Sequence, residues 1–191
     1  MLNRFTISAS IFAAGFALIA AHAEPVNKPV KTESDIATQR VEARQALQLA
    51  QDIERERVKQ LSCLAYTLWG EARSESQLGQ EMVATVILNR VDSSKFPDTI
   101  CGVVHQSKQF SMYNKGDVNG GKAHKAFTSA KPSNEVLMAL HVSKKVLRTP
   151  KVNRILPKSS LNYHTTSVSP KWNKNLKKYA SVDSHIFYTL P

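Results

Sequence analysis

Cysteine is scarce in this chain. Only Cys63 and Cys101 occur in 191 residues, so there is no C-x-x-C pair. There is no H-E-x-x-H either, and the six histidines are scattered, so no metal ligand set or cofactor is expected. Internal repeats and low-complexity tracts are absent. After residue 21 no apolar run approaches the length of a membrane span. No cysteine follows the apolar N-terminus, which argues against a lipid anchor. Acid is missing from one long stretch: between Glu135 and Asp183 there is no Asp or Glu, while ten Lys and Arg residues occur there.

What is present is an ordinary globular composition, 42% hydrophobic and 21% charged, with a formal net charge of +11. The length suits one domain plus export and linker segments. Such a basic field attracts polyanions: nucleic acid, an anionic membrane surface, or peptidoglycan with its stem-peptide carboxylates. A merely solvated surface is the bland alternative.

Residues 1–23 read as a secretory signal. Arg4 gives the positive start, Phe5 to Ala21 is almost wholly apolar or small, and Ala21-His22-Ala23 is an A-x-A cleavage site. An uncleaved anchor is the other reading, although Ser8 and Ser10 interrupt the run. Export to the periplasm or the extracellular wall removes nucleic acid as a partner. It also makes Cys63–Cys101 a candidate disulfide, against two buried free thiols.

Residues 24–37 are polar with two prolines and are expected to form a flexible leader. Residues 38–60 lack Gly and Pro. Ala43, Ala46, Leu47, Ala50 and Ile53 recur there at helical spacing, which predicts a long amphipathic helix. It would pack on the domain or hold it away from a membrane. The main domain is expected over 61–191. A first helix carries Leu61, Leu64, Ala65, Leu68 and Ala72, with Glu71 near its end. Gly79 is expected to break the pattern before a second helix marked by Met82, Val83, Val86, Ile87 and Val91. Asp98 is a candidate N-cap for a short helix through Val104. Residues 106–128, Asp117 among them, read as a long surface loop. Pro132-Ser133 opens a helix with Val136, Leu137, Leu140 and Leu147 inward. Ser160–Thr165 and His185–Thr189 read as two strands that can pair, so the fold class is mainly α with a small β element.

Eight carboxylates follow Leu61. Asp98, Glu135 and Glu81 suit helix starts, Asp92 follows a helix end, and Asp117 falls in the loop. Glu71 differs, standing beside Trp69-Gly70 among apolar neighbours. A general acid must hold its proton near neutrality, and partial desolvation favours the protonated form. The alternative is a surface Glu paired with Arg73 or Arg90. On spacing alone that alternative is preferred.

Longer segments change the weighting. Leu68-Trp69-Gly70-Glu71-Ala72-Arg73-Ser74-Glu75, the Gly79–Val91 run containing Asn89-Arg90, Phe96–Val104, Gln109-Phe110-Ser111, Tyr163-His164, Trp172 and His185–Tyr188 together resemble the SleB-like cell wall hydrolase family. Ser74 departs from the family's usual Gly. The resemblance implies a lysozyme-like catalytic domain that cleaves peptidoglycan between N-acetylmuramic acid and N-acetylglucosamine. Its essential Glu falls on Glu71, and glycan strands are the partner. Supporting or substrate-binding positions are then Glu75, Arg73, Asn89, Arg90, Gln109, Phe110, Ser111, Tyr163, His164 and His185. Glu75 has three readings: helix-end electrostatics with Arg73 or Arg90, orientation of Glu71, or substrate contact. Phe110 can face a sugar or anchor its loop, and His185 reads first as a hydrogen-bonded core residue. Trp69 and Trp172 read as packing residues. A one-carboxylate lytic transglycosylase is favoured. A hydrolytic muramidase, an N-acetylmuramoyl-L-alanine amidase and a non-catalytic basic wall-binding module are the rivals. Processing of the exported chain is expected to leave Glu24 first, which N-terminal sequencing of secreted material checks.

Overall fold

The structure, a computed structural model, describes residues 32–114, 122–149 and 154–191. The signal, most of the leader, Asp117 and Pro150 lie outside the described residues. The chain divides into two units, Met1–Ala43 and Arg44–Pro191. The described part of the first is the start of helix α1, Glu33–Ala72. This helix begins five residues earlier than the Gly/Pro-free run suggested, inside the expected leader. The reason is a capping box. Thr32 Oγ1 accepts from the Asp35 amide at 3.2 Å, and Asp35 Oδ2 accepts from the Thr32 amide at 3.0 Å.

α1 also runs unbroken through the expected boundary at residue 60, because residues 61–69 contain no breaker. Its residues up to 59 are exposed. Residues 44–59 are thus exposed, meeting the domain only at their last turns, where Arg57 lies beside Lys144, Leu147 and Arg148, and their pairs Asp52–Arg55, Glu54–Arg57 and Glu56–Lys59 are exposed and individually weak. No helix among the described residues is long and apolar enough to cross a membrane. From Leu64 onward the same helix enters the core, where Leu64, Ala65 and Leu68 are fully buried.

α2 (Gln77–Val91) is the central element. Ser76 caps it, and Gly79 lies inside its first turn rather than breaking the chain. Every residue from Gly79 to Arg90 is buried, so the helix has no polar face to offer water. Its polar side chains must find partners inside, and they bolt the rest of the domain to it. Glu81, expected as a dipole complement at the helix start, lies a turn further in and accepts from Lys145 Nζ at 2.5 Å and Gln77 at 2.7 Å. Asn89 donates to the carbonyls of Pro157 (2.7 Å) and Ser160 (3.1 Å) and accepts from Arg154 (3.0 Å).

α3 (Ile100–Val104) is capped by Thr99, not Asp98. Cys63 and Cys101 form a disulfide, with Cα atoms 5.3 Å apart, that ties α1 to α3. The expected loop contains two short helices, α4 (Ser111–Asn114) and α5 (Lys122–Phe127). α6 (Asn134–Arg148) starts at the Ser133 cap. It turns Val136, Ala139, Val142 and Val146 inward, whereas Leu137 is half exposed, contrary to expectation.

Strands β1 (Asn162–Thr165), β2 (Lys177–Val182) and β3 (His185–Thr189) form an antiparallel sheet in the order β1-β3-β2. β2 was not expected. It is an edge strand that opens Lys-Lys, a composition that discourages edge-to-edge pairing and hides the strand from pattern reading. Tyr163 pairs with Phe187 and Thr165 with His185.

The disulfide closes a loop of 38 residues, so removing it as Cys63→Ser/Cys101→Ser is expected to cost about 3–4 kcal/mol. Chemical denaturation of the two forms measures the difference.

Candidate active site

The last turn of α1 faces two ways. Trp69 and Ala72 point into the core, leaving Gly70 and Glu71 half-buried. Gly70 lets the Met112 side chain of α4 lie against the helix backbone, since a Cβ would force its sulfur to move. α1 then stops at Ala72. The Glu75 amide bonds the Ala72 carbonyl at 3.0 Å, and the chain turns toward Ser76 and α2.

That turn is gripped from the sheet. Glu75 accepts from the Ser184 amide at 3.0 Å and the Ser184 hydroxyl at 2.6 Å. In return, Asp183 Oδ2 accepts from the Ser76 amide at 2.9 Å and the Ser76 hydroxyl at 2.6 Å. Asp183 adopts φ 49, left-handed, which lets the β2–β3 turn present both groups. Gly79 makes room, since a Cβ there would lie 2.5 Å from Asp183 Oδ2. The helix therefore does not carry Glu75 alongside Glu71, and Glu75 pairs with neither Arg73 nor Arg90. Burial alone would raise the Glu75 carboxyl. The Ser184 hydrogen bonds and the His185 ring, whose Nδ1 is 3.6 Å from Glu75 Oε2, outweigh this and hold it below its ordinary value.

The grip sets His185 and the sheet in front of Glu71, enclosing a groove of ≈ 410 Å³. Glu71, Arg90 and Gln109 form part of the lining, with Tyr163, His164 and His185 from the sheet. Lys108, Asn162, Thr165, Val168 and Trp172 complete it. Among the lining residues Glu71 is the one carboxylate.

Arg90 is buried in the wall, and no carboxylate lies within ion-pair reach of it among the described residues. Its Nε donates to the Leu161 carbonyl at 2.8 Å, its Nη1 donates to Gln109 at 3.1 Å, and its guanidinium lies over the rings of Phe96 and Phe110. Burial lowers its pKa, although an arginine stays charged at any ordinary pH. Burial raises the Tyr163 phenol well above its usual range, the charge of Glu71 raises it further, and Arg90 opposes the shift. The Tyr113 phenol is pushed up to about 12, mainly by burial, with Glu71 also contributing. Two phenols that keep their protons thus sense the charge at position 71.

His164 is committed. Its Nδ1 donates to the Thr165 carbonyl at 2.8 Å, which leaves Nε2 to accept from the Tyr188 hydroxyl at 2.9 Å. His185 is 1% exposed, and its Nδ1 has no hydrogen-bond partner, so it is not the satisfied core histidine the sequence suggested. Three expected contacts are absent from the groove. Arg73 is exposed and lies over Trp69 at 5.5 Å. Asn89 is buried behind it. Phe110, 1% exposed, anchors its loop beneath Arg90 rather than meeting a sugar. The side chain of Ser111 lies outside the described residues. Trp172, read as packing, is instead 38% exposed at the groove. Lys108 (φ 62) also lines it, with no Gly or Asn to signal the left-handed backbone. Among the described residues no three His, Cys, Asp or Glu side chains cluster as metal ligands would. A second groove, of ≈ 390 Å³, is lined by Arg57, Leu61, Lys144, Leu147 and Arg148 and holds no acid.

A sequence profile of the Cell Wall Hydrolase family matches residues 74–188, beginning just after Glu71. The spore cortex-lytic enzyme of Bacillus cereus is 41% identical over 58 residues, 30% of this chain and 22% of that protein. The spore cortex-lytic enzyme of Bacillus subtilis is 40% identical over 55 residues, 29% of this chain and 18% of that protein. The chain thus spans about a fifth of the length of the curated relatives it matches. Among solved structures, the catalytic domain of the germination-specific lytic transglycosylase SleB from Bacillus anthracis superposes with a TM-score of 0.51 at 26% identity, covering 68% of this chain and 93% of that one. The Bacillus cereus SleB catalytic domain gives 0.51 and 26%, covering 68% and 89%.

Glu75→Gln tests the grip. A carboxyl held below its ordinary 4.5 stabilises the fold fully above that pH and loses its effect as pH falls through the lower native value. Thermal melts from about pH 3 to pH 7 should show a flatter acid limb in the variant and, at neutrality, a loss of about 1–3 kcal/mol.

Proposed function

The chain belongs to the cell wall hydrolase family, and we propose on that premise that it cleaves peptidoglycan glycan strands as a lytic transglycosylase with Glu71 as the single acid–base group. The observation that carries the reading is one carboxylate in a polar, sugar-sized groove. A retaining glycosidase sets two carboxyls on opposite sides of the sugar. Here the nearest acid in sequence, Glu75, is turned away and held by Ser184.

Glu71, protonated, gives its proton to the oxygen bridging N-acetylmuramic acid to N-acetylglucosamine, and the C1–O bond breaks. Its carboxylate then takes the proton of the muramic acid 6-hydroxyl, whose oxygen attacks C1. A 1,6-anhydro ring forms, no water is consumed, and Glu71 ends protonated as it began. Tyr163 keeps its proton throughout and serves as a donor to sugar oxygens.

The reading extends to place and partners. The chain is exported, residues 61–191 do the chemistry in the periplasm or extracellular wall, and the basic surface holds it to anionic wall or membrane. Nucleic acid is not a partner.

Glu71→Gln preserves shape and removes the proton. Turnover of sacculi should fall about 10²–10⁴-fold with an unchanged melting temperature. Mass analysis of wild-type digests should give anhydro-muropeptides. Undiminished turnover in the variant overturns the role of Glu71, and free stem peptides or reducing ends overturn the reaction type.

A further inference from the structure

The ten basic residues between Glu135 and Asp183 have no part in the chemistry above. The structure gathers four of them beside the groove. Trp172, in the lining, belongs to a 3₁₀ helix, Lys171–Asn175, on which Lys171 and Lys174 are exposed. β2 follows and opens with exposed Lys177 and Lys178, then Tyr179 at 52% exposure. Lys178 reaches the same side: it is the strand partner of Tyr188, whose ring meets Trp172 edge-on at 5.7 Å, whereas Lys177, opposite Thr189, alternates to the other face of the sheet.

The backbones of Lys177 and Lys178 pair in the sheet, but the ammonium groups of these lysines make no ion pair. Among the described residues no carboxylate lies within ion-pair reach of any of them, and the nearest acid in sequence, Asp183, is engaged by Ser76. Lys171, Lys174 and Lys178 thus hold unpaired ammonium groups around the exposed Trp172 at the groove, and Lys177 and Tyr179 add a charge and a ring beside them. Ammonium groups on flexible stems suit several loosely placed carboxylates better than one fixed anion. Each exposed contact is weak, but the four act on a polyanion through their summed field. The aromatic faces take the apolar side of the same ligand.

We infer that this strip binds the free carboxylates of the stem peptides that hang from the glycan strand. It makes the enzyme selective for strands whose peptides are present and unamidated. The inference rests on the reading that the groove takes a glycan strand.

The test uses the mature full-length enzyme carrying Lys171→Gln, Lys174→Gln, Lys177→Gln and Lys178→Gln together. The four positions are exposed, so the fold should survive, which a melting temperature verifies. Its substrates are soluble glycan strands with intact acidic peptides and the same strands stripped of peptide. The ratio of KM on stripped strands to KM on peptide-bearing strands should be about tenfold in the wild type and near one in the variant. The wild-type preference should fade with added salt. Lys144→Gln/Arg148→Gln, which removes charge elsewhere, should keep the wild-type ratio. An unaltered ratio in the fourfold variant overturns the inference. So does an equal loss on both strands, which would mean contacts to sugar, or tighter capture of anionic lipid vesicles than of peptide-bearing strands. Binding of the Glu71→Gln protein to the two strand types, with and without the four changes, reads out the strip without turnover. The inference can therefore stand when the cleavage reading fails, and fall when it holds.

Discussion

The site depends on one reciprocal clasp. Glu75 holds Ser184 and Asp183 holds Ser76, so the tip of a β-hairpin and the link between two helices each supply a carboxylate to the other's donors. All four bonds are charge-assisted; the two to Glu75 are partly buried, and the two to Asp183 lie at the exposed rim. They set where the sheet stands relative to Glu71. Without them the acid would stay at the end of α1, but the wall of Tyr163, His164 and His185 would have no fixed distance from it.

The clasp also explains why two glutamates four residues apart meet different surroundings. Glu71 is half-buried and faces the groove, among groups that keep their protons. Glu75 is surrounded by donors and held ionised, and its one contact toward the groove is the imidazole of His185. Environment rather than residue type separates the two. The central helix supports this arrangement from below, since Asn89 and Arg90 fasten the connector that leads into β1.

Much of this was legible in the sequence because it is local. The 3.6-residue period showed α2 and α6, and aromatic-rich runs showed β1 and β3. The W-G-E-A-R-S-E segment, in its family context, singled out Glu71 as the candidate acid. What was missed depends on distance. Ser184 lies 109 positions from Glu75, and no spacing rule connects them. Gly79 reads as a helix breaker until Asp183 is seen to fill the space of its missing side chain. α2 shows an apolar face in the sequence, but its polar residues are buried too, and only their distant partners reveal it. Phe110 and Trp172 exchanged roles for the same reason: an aromatic ring does not announce which side of a wall it is on. The start of α1 is a different case. Its Thr32-x-x-Asp35 signal is local, but Pro25 and Pro29 just upstream favour a leader over the same stretch.

The two carboxylate clasps span 107 and 109 residues of chain. The groove is therefore a late product of folding. A polypeptide that stops before residue 183 contains Glu71 but lacks both clasps. Completion of the groove thus waits on residues 162–185, which supply the wall opposite Glu71.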